Sequence, residues 1–180
     1  NLNDVSDELI ESHLYTNYIY DFVIPFFIIE LIYDLIYYWW HYYGHKNQFL
    51  WKYVHAKHHE IIYPRYLDVY HMSLWETVFL RVSNFSLHAL FRLSSTKMVT
   101  MIMIQHYMVF AEMMGHSGFT VNAEDVVLSR WILSQLGMTI NVVHHDYHHQ
   151  KCGTNYCKRL GIWDRVFGTF VDPKMPQKYQ

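Results

Sequence analysis

The chain has 180 residues, 52% hydrophobic and 18% aromatic, with 14 basic and 16 acidic residues beside 14 histidines. That length fits one domain with a real core, and the scattered basic residues exclude a nucleic-acid footprint. Mean hydropathy of −0.06 is low for a protein wholly inside a bilayer, yet abundant Tyr and Trp favour the level where hydrocarbon meets water; a membrane-embedded helical domain is expected, with a soluble one as the alternative.

In chain order, Asn1–Asn17 is polar and acidic, a short lead-in. Tyr18–Tyr43 has no basic side chain and is the best candidate for a transmembrane helix, since about 20 residues span the hydrocarbon. Asp21, Glu30 and Asp34 lie within it, and an intramembrane carboxylate is a functional suspect. Lys46–Pro64 is amphipathic. Leu74–Leu93 is apolar but broken by Arg81, Asn84, His88 and Arg92. Met98–Gly115 is Met-rich and the second candidate span, and Ala123–Met138 reads as an interfacial helix. From Lys151 on, Gly, Pro and aromatic residues predict irregular structure. Hairpin signals are absent, so the expected fold class is all-α: membrane-embedded helices with a cytosolic helical cap. The domain boundaries expected are 1–17 for the lead-in, 18–170 for the main domain and 171–180 for a tail. The sequence opens on Asn, without a signal-peptide pattern, so a fragment of a longer protein is expected. Cys152 and Cys157 are expected as reduced thiols.

Charge is asymmetric. Residues 1–45 hold seven acidic side chains and no Lys or Arg, whereas 46–180 hold 14 basic against nine acidic. The basic part carries the later histidine clusters, which fits a cytosolic face.

Eight histidines fall in three clusters: His41 and His45 (HxxxH), His55, His58 and His59 (HxxHH), and His145, His148 and His149 (HxxHH). Residues three and four apart share a helix face, so each cluster is expected to aim two or three imidazoles at one point. The nitrogens outnumber what one tetrahedral metal takes, so two metals are expected, and imidazole suits iron, copper, nickel or zinc. Asp34 lies two helical turns before His41 and is a candidate to orient its ring. His116 follows a Met-rich helix and shares a face with Glu112; His116 is a candidate ligand, and Glu112 a ligand or a nearby base. His13, His71, His88 and His106 are expected as surface or packed residues. No phosphate loop, GxSxG or HExxH motif occurs. A neutral, nearly all-histidine set suits oxygen activation, with hydrolytic zinc chemistry left open. A histidine pH sensor would not need ligand periodicity.

From Tyr33 to Phe170 these motifs together resemble the fatty acid hydroxylase/sterol desaturase superfamily. The resemblance is carried by Asp34 through His45, by Lys52 through Glu60 with Pro64, and by His116-Ser117-Gly118-Phe119. It continues through His144-His145-Asp146-Tyr147-His148-His149, Asn155-Tyr156, Trp163-Asp164-Arg165 and Phe167-Gly168-Thr169. The methylsterol monooxygenase branch is the most similar, with the cholesterol 25-hydroxylase branch close to it. The resemblance implies an endoplasmic-reticulum membrane enzyme with two irons that uses O2. Electrons would come from NAD(P)H through cytochrome b5 or its reductase, and the substrate would be a sterol or other lipid. It implies His41, His45, His55, His58, His59, His116, His145, His148 and His149 as ligands, and His144 as a further ligand or supporting group. Glu60, Asp146 and Asp164 are candidates to hold ligand imidazoles or shape proton delivery. A desaturase of the same superfamily would share this site. A truncated, non-catalytic metal- or lipid-binding membrane protein is the reading from another class, because the superfamily's upstream hydrophobic helices are not in this sequence.

Overall fold

The computed structural model describes residues 16–93, 97–117 and 128–173. The long helix α1 (Ile24–Lys46) follows a π-helical turn, Ile19–Val23, without a break. Pro25 in its first turn has the φ a helix start needs. The helix ends where Asn47 becomes extended, and the Asn47 side chain accepts the N–H groups of Phe49 and Leu50 to start the next turn. Short pieces follow: Gln48–Leu50, a π-helical turn Trp51–His55, and single 3-10 turns at His58–Glu60 and Asp68–Tyr70. Then come α2 (Leu74–Leu93), α3 (Met98–Gly115), α4 (Leu128–Gln135), α5 (Val142–Lys151) and α6 (Ile162–Val166). Among the described residues no strand forms, only an isolated bridge between Thr139 and Leu160. The all-α expectation holds for these residues.

α1 organises the molecule through one face. Phe26, Ile29, Glu30, Tyr33, Asp34, Tyr37, Tyr38, His41 and Gly44 are all buried, the three-and-four spacing of a helix stripe. Near its start, Phe26, Ile29 and Tyr33 pack with Leu87 of α2 and with Met101, Ile104 and Met108 of α3. Farther along, Tyr38 packs with Ile140, Tyr156 and Cys157. His41 and Gly44 complete the stripe, so the apolar core and the histidine region lie end to end on one helix.

No described helix is long and apolar enough to cross a membrane, which differs from the expectation for Tyr18–Tyr43 and Met98–Gly115. In α1, Glu30 and Asp34 break the apolar run and the remainder is rich in Tyr and Trp; α3 is interrupted by Gln105, His106 and Glu112. The carboxylates of α1 serve the fold. Glu30 Oε1 accepts from Arg159 Nε at 2.8 Å and from Arg130 Nη1 at 3.2 Å, with all three side chains buried. Within the expected interfacial helix Ala123–Met138, Leu128–Gln135 forms α4; residues 118–127, most of the lead-in and the end of the tail lie outside the described residues. The tail expected to be irregular contains the short helix α6, and both cysteines are free thiols.

Candidate metal centre

Nine histidines converge in two adjacent groups. His41, His45, His55, His59 and His148 place one ring nitrogen each within 4.8 Å of one another, and His58, His116, His145 and His149 do the same. Either group could hold a metal ion. The rings of His59 and His149, one from each group, lie 4.5 Å apart between centroids.

Each sequence cluster places two imidazoles in one group, as expected, and His41 and His45 stay together, but the second and third clusters each send one histidine to the other group. Adjacent residues on a helix point about 100° apart, so His148 turns to the five-histidine group and His149 to the other. His145 and His149, a turn apart on α5, stay together, with Nε2 atoms 3.0 Å apart. The second cluster divides likewise, because the helix breaks at Ala56–Lys57 after the π-turn. His55 and His59 go to the five-histidine group and His58 to the four-histidine group.

For four of the nine rings an outer hydrogen bond fixes which nitrogen faces inward. His41 Nδ1 donates to the Tyr156 carbonyl at 2.7 Å, His55 Nδ1 to Glu76 Oε1 at 2.7 Å, and His148 Nδ1 to the Thr154 carbonyl at 2.6 Å. In the other group His116 Nδ1 donates to the Glu112 carbonyl at 2.9 Å. A neutral imidazole with its proton on Nδ1 presents a lone pair at Nε2. Those Nε2 atoms nevertheless crowd together: His45 to His148 3.1 Å, His55 to His45 3.1 Å, His59 to His55 3.0 Å and His148 to His59 3.3 Å. One Nε2 has either a proton or a lone pair in the ring plane, so a closed ring of four such contacts cannot be satisfied by hydrogen bonds. Two nitrogens bound at about 2.1 Å and at right angles on one metal lie about 3 Å apart, which is the spacing seen. His41 Nε2 and both ring nitrogens of His58 are buried without a hydrogen bond among the described residues. The donor set therefore fits metal ions of the imidazole-preferring kind.

Electrostatics agree with this reading. Burial, reinforced by neighbouring imidazoles, holds His55, His58 and His145 well below the usual histidine range. Burial brings His148 down to about 4, and burial with the neighbouring His148 and His116 brings His149 down to about 3. These rings are neutral at pH 7, so a cation among them would meet no competing positive charge on the rings.

The other candidate residues fall elsewhere. Asp34 does not reach His41: its Oδ1 accepts the Lys158 and Arg159 N–H groups at 3.0 Å and its Oδ2 accepts that of Leu160 at 3.2 Å. Glu60 is exposed and bonds His71 Nε2 at 2.8 Å, away from both groups. The Glu112 carboxylate pairs with Lys158, and only its main-chain carbonyl touches a clustered histidine. His144 accepts the Asn141 N–H at 3.2 Å in the capping box that starts α5, and its other nitrogen lies 3.3 Å from Asp172. It is not in either group. Asp164 acts one step removed. Its Oδ1 accepts the Tyr156 N–H at 2.8 Å and the Thr169 hydroxyl at 2.6 Å, and its Oδ2 accepts the Cys157 N–H at 2.8 Å. This holds the strand of chain whose Tyr156 carbonyl anchors His41. Asp146 is buried on α5, and its charge acts on His116.

Glu76 was not among the expected site residues. It is 1% exposed and bonded to His55. A carboxylate inside the apolar run Leu74–Leu93 was the available signal, the same one that drew attention to Asp34.

The Fatty acid hydroxylase family model matches residues 26–169. The chain is 33% identical over 136 residues to fatty acid hydroxylase vlmA of Lecanicillium sp, covering 71% of this chain and 36% of that protein. It is 30% identical over 142 residues to cholesterol 25-hydroxylase-like protein 1, member 2 of Danio rerio, covering 79% and 49%. It is 28% identical over 149 residues to sphinganine C4-monooxygenase 2 of Arabidopsis thaliana, covering 81% and 54%. The chain thus spans about a third to a half of the length of these relatives. No solved structure matches it.

Proposed function

This chain belongs to the fatty acid hydroxylase family, and from that premise we propose that it is an O2-dependent oxidoreductase hydroxylating a C–H bond of a lipid or sterol. Two iron ions would be held by the nine clustered histidines, His41, His45, His55, His59 and His148 for one and His58, His116, His145 and His149 for the other. The observation that carries this reading is the inward crowding of Nε2 atoms, with the Nδ1 protons of His41, His55, His116 and His148 committed outward. Irons bound there would supply the redox chemistry with O2 that no side chain of this protein offers. The protein's own part is placement and exclusion of water: buried rings are fixed by the carbonyls of Tyr156, Thr154 and Glu112 and by the Glu76 carboxylate. NAD(P)H, through cytochrome b5 or its reductase, is the electron source in this proposal, and the setting is a membrane of the endoplasmic-reticulum type with the histidines on the cytosolic side. Exposed apolar side chains on α2 and α3 support lipid contact: Trp75 is 68% exposed, Phe85 74% and Met98 61%.

The test uses iron-loaded protein in mild detergent, given lipid and sterol panels, a reductant and isotopically labelled O2. The expected product has one labelled hydroxyl, and His58→Ala abolishes it. A new double bond without added oxygen would assign a desaturase instead. Product formation retained in His58→Ala would sink the assignment.

A further inference from the structure

Two small cavities meet on the side of the four-histidine group that faces α2 and α3. The outer one, about 60 Å3, is bordered by the exposed residues Tyr70 and Arg81. The inner one, about 20 Å3, is lined by His58, His116 and His145. Both share Met72, Leu80, Glu112, Lys158 and Arg159, so these residues form the junction between the surface and the histidines.

The junction is rich in donors. Lys158 and Arg159 side chains are only 8% and 4% exposed. Lys158 pairs with Glu112 and lies over the Tyr37 ring, 4.4 Å from its centroid, leaving a further N–H of its three. Arg159 donates through Nε to Glu30, while its Nη2 is buried without a hydrogen bond among the described residues. A buried donor without an acceptor is costly, so an oxygen-bearing ligand is favoured here. The inner cavity has room for little more than one water-sized group; the outer one is larger and reaches the surface beside Tyr70 and Arg81.

Building on the proposed lipid hydroxylation, we propose that Lys158, backed by Arg159, holds an acceptor oxygen on the head of an extended single-chain lipid. The head then sits at the junction, the carbons next to it are the part of the chain nearest His58, His116 and His145, and the rest of the chain runs outward through the larger cavity. Lys158 is thereby a specificity-determining residue for both head chemistry and the position oxidised.

The test has two arms, neither of which reads turnover. In the first, binding of palmitate, 1-hexadecanol and hexadecane to the full chain in mild detergent is compared. Both oxygen-bearing probes are expected to bind about tenfold or more tighter than hexadecane. Lys158→Met should erase most of that preference and Lys158→Arg should keep it. Equal binding of hexadecane, an unchanged preference in Lys158→Met, or displacement by cholesterol but not by palmitate would overturn the proposal. In the second arm, wild-type protein loaded with paramagnetic cobalt(II) is used to read nuclear relaxation along bound palmitate. The largest enhancement is expected at the carbons next to the carboxylate; a maximum at the terminal methyl would overturn the proposal without any variant. Failure to retain cobalt would count against the metal reading, whereas the first arm needs no metal and still decides the role of Lys158.

Discussion

His55 shows how one imidazole of the proposed metal centre is oriented. Its Nδ1–H donates to Glu76 Oε1, which directs the Nε2 lone pair toward His45 and His59. Burial pushes the Glu76 carboxyl up to about 8, so the test replaces the acceptor carboxyl while keeping its shape. Glu76→Gln is expected to weaken metal binding about 10–100-fold, measured by chelator competition. Unchanged affinity would mean that Glu76 only packs. The buried histidines also set a pH dependence whose sign follows from their direction. His148 and His149 titrate below the ordinary histidine value of about 6.5, so the unfolded chain binds protons first as pH falls. Their contribution to stability is complete above about pH 6.5 and is lost as pH drops toward their folded values, at roughly 1 kcal/mol per histidine per pH unit. Melting temperature and metal content are both expected to fall between pH 7.5 and pH 5.5; a melting temperature that rises toward acid would contradict the assignment of neutral rings. At this scale the histidines were legible from spacing. Their anchors were not, because main-chain carbonyls of Tyr156, Thr154 and Glu112 leave no mark in a sequence.

Elements place those residues through close approach as much as through periodicity. α1 can bring His41 and His45 against the Trp51–His55 turn because Gly44 faces it: a Cβ on Gly44 would lie 3.3 Å from His55 Cγ. Gly44→Ala therefore has to push the His55 ring by a few tenths of an ångström. We expect weaker metal binding in the five-histidine group, with the fold retained by circular dichroism; wild-type affinity in this variant would show that the ring has room to move. The π-turn and the break after it explain why a second cluster read as one helical face is shared by two groups. Helix periodicity alone already held part of this, since neighbouring histidines such as His148 and His149 cannot face one centre. The acidic residues of α1 were misjudged for a different reason. Asp34 looked like a partner for His41 by helical spacing, but the N–H groups of Lys158, Arg159 and Leu160, more than 120 residues away in sequence, take its oxygens.

The whole molecule follows from one buried helix stripe: an apolar section that docks α2 and α3, then a charged section, then the histidines. Helical class was legible across the chain because apolar runs and histidine pairs obey the same spacing. The expected spans were not, because aromatic content made α1 look more lipid-like than its buried Glu30, Asp34 and Tyr residues allow. The central claim is that tertiary folding gathers three sequence clusters and His116 into two metal sites. It is tested most directly by metal content per chain, measured by mass spectrometry on protein purified from membranes under reducing, anaerobic conditions. A His55/His58/His59→Ala variant runs alongside. The account predicts close to two metals per chain and loss from both sites in the variant, because His58 belongs to one group and His55 and His59 to the other. No bound metal, or metal unaffected by the three substitutions, would contradict it.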